Sequence, residues 1–372
     1  MKGSLRFVAE RGVVLLAAAG IACSSRPEPP PPSTTTLPPA TTAPAPLTTP
    51  AATPTETSPV AESSPLQAPT PSPSASPPSA PSASPSAPVS ASSARNLLRL
   101  QVLLDRAHFS PGEIDGTAGG NTARALDAFR RERKLRARGA ATEEDWAALE
   151  SGGVPTLVEY TLTEKDVKGP YQRSIPDDMM EKAKLDALSY TSPLEALGER
   201  FHASPRLLRA LNAGKSFARA GEVVQVPDVH TEASGKAAKV VVTESDQSVV
   251  ALDGAGRVLA RFPATMGSQH DPLPIGTWKI TGVSKEPPFF YNPDLFWDAK
   301  GDQSKAKIAP GPNNPVGVVW IDLSKPHYGI HGTPEPSKIG KTESHGCIRL
   351  TNWDAEELSR MVSPGIPAVL ER

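Results

Sequence analysis

Ile330-His331-Gly332-Thr333 and, eleven residues after Thr333, Ser344-His345-Gly346-Cys347-Ile348-Arg349-Leu350 are the two stretches on which the reading of this chain turns. A free thiol has a pKa near 8.5, so only a few per cent is thiolate at neutral pH. Nucleophilic use of Cys347 therefore wants a base, and histidine, with a pKa near 6.5, suits that task. His331 and His345 both precede the cysteine. Gly346 lets backbone approach a substrate carbonyl closely, and neighbouring amide N–H groups can then stabilise an oxyanion. The residues alone leave two other readings open. Cys347 can be a buried, inert thiol. His327, His331, His345 and Cys347 can ligate zinc, although their spacing fits no finger pattern.

Working outward, a β pattern surrounds both stretches. Val240-Val241-Val242, Ser248 to Leu252 and Val258 to Phe262 read as strands, with Asp253-Gly254-Ala255-Gly256 as a hairpin turn. Trp278-Lys279-Ile280 follows a Pro-Ile-Gly-Thr turn, and helical spacing returns only at Asp354 to Met361. About 130 residues suffice for a core of their own.

The two stretches resemble the signature of L,D-transpeptidases with the YkuD-type fold: His-Gly, then Ser-His-Gly-Cys, a hydrophobic residue and Arg. The likeness extends through Ala264-Thr265-Met266-Gly267, Pro274-Ile275-Gly276-Thr277-Trp278 and Arg349-Leu350-Thr351-Asn352-Trp353-Asp354. The resemblance implies a β-rich, sandwich-like catalytic domain over 238–372. It implies Cys347 as nucleophile, His331 as general base and the Gly332 carbonyl as the group orienting that base. Gly346 and Cys347 N–H groups would be oxyanion donors, with Ser344 and His345 shaping the site. Arg349 would order the motif or bind the stem-peptide carboxylate, an internal salt bridge being the other reading. The implied substrate is peptidoglycan, with no metal or organic cofactor, and carbapenems are implied acylating agents. The acceptor stays open: a second stem, water or a protein amine. A non-catalytic wall-binding tether is the alternative of a different class. The segment Ser284 to Pro315, long and rich in Pro, Asn and Lys, departs from the family pattern and reads as a lid or an insertion.

Upstream, the chain reads as multidomain α+β. Lys2, Arg6 and Arg11 precede an apolar run from Val13 to Ala22, about half the roughly 20 residues a membrane span needs. Residues 1–23 therefore read as an export signal. Gly20-Ile21-Ala22-Cys23 resembles a lipobox, with Gly20 where Leu is usual, which implies lipidation of Cys23, a membrane anchor and an envelope, outer-membrane location. Residues 24–94 are dominated by Pro, Ser, Thr and Ala; the whole chain holds 42 prolines. Such sequence buries too little apolar surface to offset chain entropy and reads as a disordered tether, with a reach on the order of 50 to 200 Å.

Between tether and β domain lie helical patterns. Leu97, Leu100 and Leu104 recur at helical spacing, Asn121 or Thr122 can cap a second helix, and Thr142 with Asp145 forms a capping box for a third. This unit, 95–152, resembles a peptidoglycan-binding domain through Leu100 to Leu104, Gly112-Glu113-Ile114-Asp115-Gly116, Asn121 to Leu126, Phe129 and Trp146. Residues 153–189 read as a connecting segment without assigned function. Residues 190–229, with helices opened by Ser192 and Ser204-Pro205 and a strand in Gly221 to Pro227, resemble a LysM module. The net charge is -1, which gives no electrostatic case for nucleic acid.

Overall fold

The computed structural model describes residues 91–136, 138–150, 153–229 and 233–372, all within one compact unit, Pro81–Arg372. The expected export signal, Cys23 and nearly all of the tether lie outside the described residues. Helix α1 spans Ala91–Arg106, so helix begins before Asn96 and inside the stretch assigned to the tether.

The helical unit is completed by α2, Gly120–Arg133, and α3, Glu143–Leu149. Leu100, Leu103 and Leu104 of α1 pack with Phe109, Leu126, Phe129 and Leu149. Burial of each large side chain contributes about 1.5–3 kcal/mol. The cap expected at Asn121 or Thr122 is not one. Gly119 occupies the N-cap without a side-chain bond, and both residues sit buried in the first turn. They were drawn inward because each finds a partner elsewhere: Asn121 Nδ2 donates to the Ile339 carbonyl, and Thr122 Oγ1 accepts from Gln101. The capping box at α3 forms as the sequence predicts. Its Asp145 also takes two bonds from Arg130, at 2.9 and 2.6 Å. That guanidinium, with the Thr142 bonds, pulls the Asp145 carboxyl down to about 2.

A middle unit follows, with β1 (Leu157–Thr161), α4 (Glu164–Lys168), α5 (Met179–Lys182), α6 (Pro193–Arg200), α7 (Pro205–Leu211) and β2 (Val223–Pro227). Ser192 and Ser204 cap α6 and α7, each followed by proline at the first helical position. β1 pairs antiparallel with β2, Tyr160 opposite Val224. The stretch expected to be only a connector thus supplies a strand. Leu98, Val102 and Ile114 of the helical unit enter the same core as Leu197, Phe201, Leu208 and Val226. Helix α1 therefore buries a second face, and the two units share apolar interior.

The C-terminal domain contains β3 (Lys239–Thr243), β4 (Ser248–Leu252), β5 (Val258–Pro263), β6 (Thr265–Met266), β7 (Gly276–Lys285), β8 (Phe289–Tyr291), β9 (Ala306–Ile308), β10 (Val319–Leu323), β11 (Gly329–His331), β12 (Ile348–Arg349), α8 (Asn352–Met361) and β13 (Pro367–Glu371). Nine strands form a sheet ordered β5-β4-β3-β13-β7-β10-β11-β12-β6. The sandwich expectation needs refinement: a single sheet folds over on itself. The reason is the length of β7. Residues 276–279 pair with β13 and residues 280–285 with β10, so one strand serves both halves. The edge strands β5 and β6 are consecutive in sequence, which brings the sheet close to closure. Val240, Val242, Phe262, Ile321, Ile330, Ile348 and Leu358 fill the interior.

The 284–315 segment is built around the β8–β9 hairpin. Tyr291 and Ile308 pack on Leu188, and the Leu188 amide and carbonyl bond to Pro310 O and Asn313 N at 3.0 and 2.9 Å. The segment is therefore anchored to the middle unit.

Candidate active site

His331 and Cys347 are sixteen residues apart in the chain and become neighbours through strand pairing. β11 lies antiparallel to β10, with His331 opposite Trp320, and parallel to β12, with Ile330 opposite Ile348 and His331 opposite Arg349. Cys347 immediately precedes β12, and β6 closes the far side by pairing Thr265 with Arg349.

His331 is 4% exposed. Its ring stacks on Trp320 with centroids 5.3 Å apart, and Nδ1 lies 2.7 Å from the Gly332 carbonyl. A carbonyl only accepts, so Nδ1 carries the hydrogen and Nε2 keeps a free lone pair. Burial, reinforced by the Arg349 charge, drives the imidazole pKa from 6.5 down to about 3, against the pull of the Gly332 bond. The imidazole is neutral across the ordinary pH range. Gly332 has no room for a side chain, because a Cβ there would stand 2.2 Å from Asn352 Oδ1.

Cys347 is half-buried, with Sγ 3.6 Å from the His327 carbonyl. Burial pushes its thiol pKa up, opposed by the Gly329 backbone and Arg349. The resting pair is thus thiol and neutral imidazole. Gly346 adopts φ +92°, and a Cβ there would stand 2.8 Å from the Tyr328 ring. Ser344 is buried; its hydroxyl donates to the Cys347 carbonyl at 2.7 Å and its amide to Gly267 O at 2.9 Å. These bonds tie the turn on which the cysteine sits.

His345 contacts the hairpin segment. Its Nε2 lies 2.9 Å from Asp298 Oδ1, and its ring contacts Phe296 and Trp297. It joins the motif to the 284–315 segment. Arg349 is half-buried and makes no ion pair among the described residues; burial lowers its pKa. The internal salt bridge is therefore not seen there. Among the described residues no cluster of three or more His, Cys, Asp or Glu side chains is disposed around a metal position. Sequence reasoning did not single out Trp320, Tyr328 or Asn352. Trp320 and Tyr328 carry no linear signal, whereas Asn352 stood within the motif read downstream of the cysteine.

Residues 237–370 match the family model of the YkuD L,D-transpeptidase catalytic domain. Among curated relatives, a putative L,D-transpeptidase YkuD of Bacillus subtilis is 29% identical over 170 residues, covering 46% of this chain and 83% of the relative. Its Bacillus licheniformis counterpart is 55% identical over 56 residues, which is 15% of this chain and 34% of that protein. The chain thus spans about a third of one relative and most of the other. Among solved structures, L,D-transpeptidase 3 from Mycobacterium tuberculosis in complex with a faropenem-derived adduct has 19% identity and a TM-score of 0.31, covering 41% of this chain and 75% of that one. The similarity lies in the C-terminal domain, which the family model matches.

Proposed function

We propose that the protein is an envelope L,D-transpeptidase acting on peptidoglycan stem peptides through a thioester on Cys347. The observation that carries this reading is the His331 Nδ1 bond to Gly332 O at 2.7 Å on a strand paired with the one that follows Cys347. It leaves Nε2 unprotonated on a base that burial keeps neutral.

The sulfur attacks the carbonyl carbon of the third stem residue as its proton passes to His331 Nε2. The Gly346 and Cys347 amides receive the developing oxyanion. Collapse breaks the bond to the terminal D-Ala, whose amine takes the proton from His331, and leaves a thioester. An amine of a second stem then attacks, returns its proton through His331 and restores the thiol, giving a 3-3 crosslink. Arg349, whose charge acts on both His331 and Cys347, holds a stem carboxylate. The segments resembling peptidoglycan-binding and LysM modules hold the wall polymer, and lipidated Cys23 anchors the chain at the outer membrane.

The test is mass analysis of muropeptides incubated with wild type and Cys347→Ala. New dimers from wild type alone are expected. Shortened monomers alone would make the enzyme a carboxypeptidase, and identical products from both proteins would leave only a wall-binding tether. For the anchor, fatty-acid labelling is expected in wild type and lost in Cys23→Ala; equal labelling of both refutes it.

A further inference from the structure

We infer that Asn121, in the helical unit, is a positioning residue for the segment that carries the nucleophile; its catalytic consequence rests on the function proposed above. The segment from Gly332 to Cys347 joins base to nucleophile, and its middle turn is clamped from two sides. From α2, Asn121 Nδ2 donates to Ile339 O at 2.8 Å. Its Oδ1 is held by Arg124 Nη2 at 2.5 Å, and that same nitrogen reaches Gly340 O at 3.5 Å. From β6, Thr265 Oγ1 accepts from the Gly340 amide at 2.9 Å. Gly340 adopts φ +68°, and a Cβ there would stand 2.4 Å from Asn121 Oδ1, so helix and turn meet with no space between them.

The clamp lies close to the chemistry. Thr265 is also the residue paired with Arg349 on β12. Only Lys341 to Glu343 separate the clamped glycine from Ser344, whose amide is fixed by Gly267 O at 2.9 Å. Asn121 is 9% exposed and its bond to Ile339 is buried, so water is a poor substitute for it. Release of the turn transmits slack to the Gly346 and Cys347 amides, and misplaced donors stabilise an oxyanion less well.

Other bonds between the helical unit and the C-terminal domain avoid this turn. His108 Nδ1 lies 2.7 Å from Glu357 Oε1, and Ser110 Oγ donates to Asp354 at 3.1 Å. They supply the control for a merely docking role.

Asn121→Ala, Arg124→Met and His108→Ala are compared with wild type in the full-length protein. Two readouts are hydrogen exchange of peptides covering 338–350 and the rate of Cys347 acylation by a carbapenem, followed by intact mass. Loss of one buried hydrogen bond predicts about a five- to tenfold rise in exchange and a similar fall in acylation for Asn121→Ala. Alkylation of Cys347 by iodoacetamide, which uses no oxyanion donors, is expected to change less than twofold. Arg124→Met moves both in the same direction by less, and decides the matter if sheet peptides show that Asn121→Ala has not folded. His108→Ala leaves the 338–350 exchange unchanged. Unchanged exchange in Asn121→Ala, or an equal rise in His108→Ala, overturns the inference. A wild type that takes no carbapenem refutes the proposed function, while the exchange comparison still decides the positioning role.

Discussion

Lowering the pH should expose the cost of keeping His331 neutral. In the folded protein its pKa is about 3, against 6.5 as the ordinary value. Between these values the unfolded chain binds a proton that the folded one refuses. Stability therefore falls as pH drops through this window and is unaffected above it. The full difference is on the order of 5 kcal/mol at 1.36 kcal/mol per unit. At pH 5 the same linkage gives a loss of about 2 kcal/mol relative to pH 7.5. Other groups act in the opposite sense: burial raises the Glu199 and Asp354 carboxyls to about 8, so they favour the folded state as pH falls. The comparison must therefore be with His331→Gln, which removes only the imidazole. Urea unfolding at both pH values should show wild type losing about 2 kcal/mol more than the variant. Parallel losses would refute the reasoning. The acidic limb of kcat/KM gives a second check: it should fall well below pH 6, and a limb centred at 6 to 7 would mean an ordinary, solvated histidine.

Two further outcomes follow from the packing. Asp145→Ala takes a two-bond carboxylate from the Arg130 guanidinium, which is 2% exposed and keeps only Asp127 and the Gly139 and Ala140 carbonyls, and should cost about 2–3 kcal/mol of stability, read by thermal or urea unfolding; a cost under about 1 kcal/mol refutes the buried pair. Gly346→Ala combines φ +92° with a 2.8 Å approach to Tyr328 at a buried position, and should lower acylation of Cys347 at least tenfold and the melting temperature with it; unchanged acylation refutes it.

Local grammar was legible from sequence wherever the interaction spans a few residues. Ser192 and Ser204 cap their helices, and Thr142 with Asp145 forms its box, because each motif closes on backbone three positions away. The hairpin at Asp253 to Gly256 and the strands on either side follow from turn chemistry and alternation. Cys347 and His331 stood out as a thiol and a candidate base, but only the resemblance to a known family gave them roles. The second buried face of α1 was not, because Leu98 and Val102 find their partners in the middle unit. Nor was β1: the short run Leu157–Thr161 has little to mark it until Val223–Pro227 lies beside it. Asn121 read as a cap because its type suits one, and the structure gives it Ile339 instead.

By itself, then, the sequence marked the capped helices, the strands around the Asp253 to Gly256 turn, the thiol and its candidate base. Tertiary structure alone decided that β11 and β12 run side by side, that Nδ1 meets Gly332 so that Nε2 stays free, and that burial holds His331 neutral. The physical reason is that register and desolvation belong to the assembled interior: a lone pair's direction and a group's charge state are set by atoms brought close in space from distant parts of the chain.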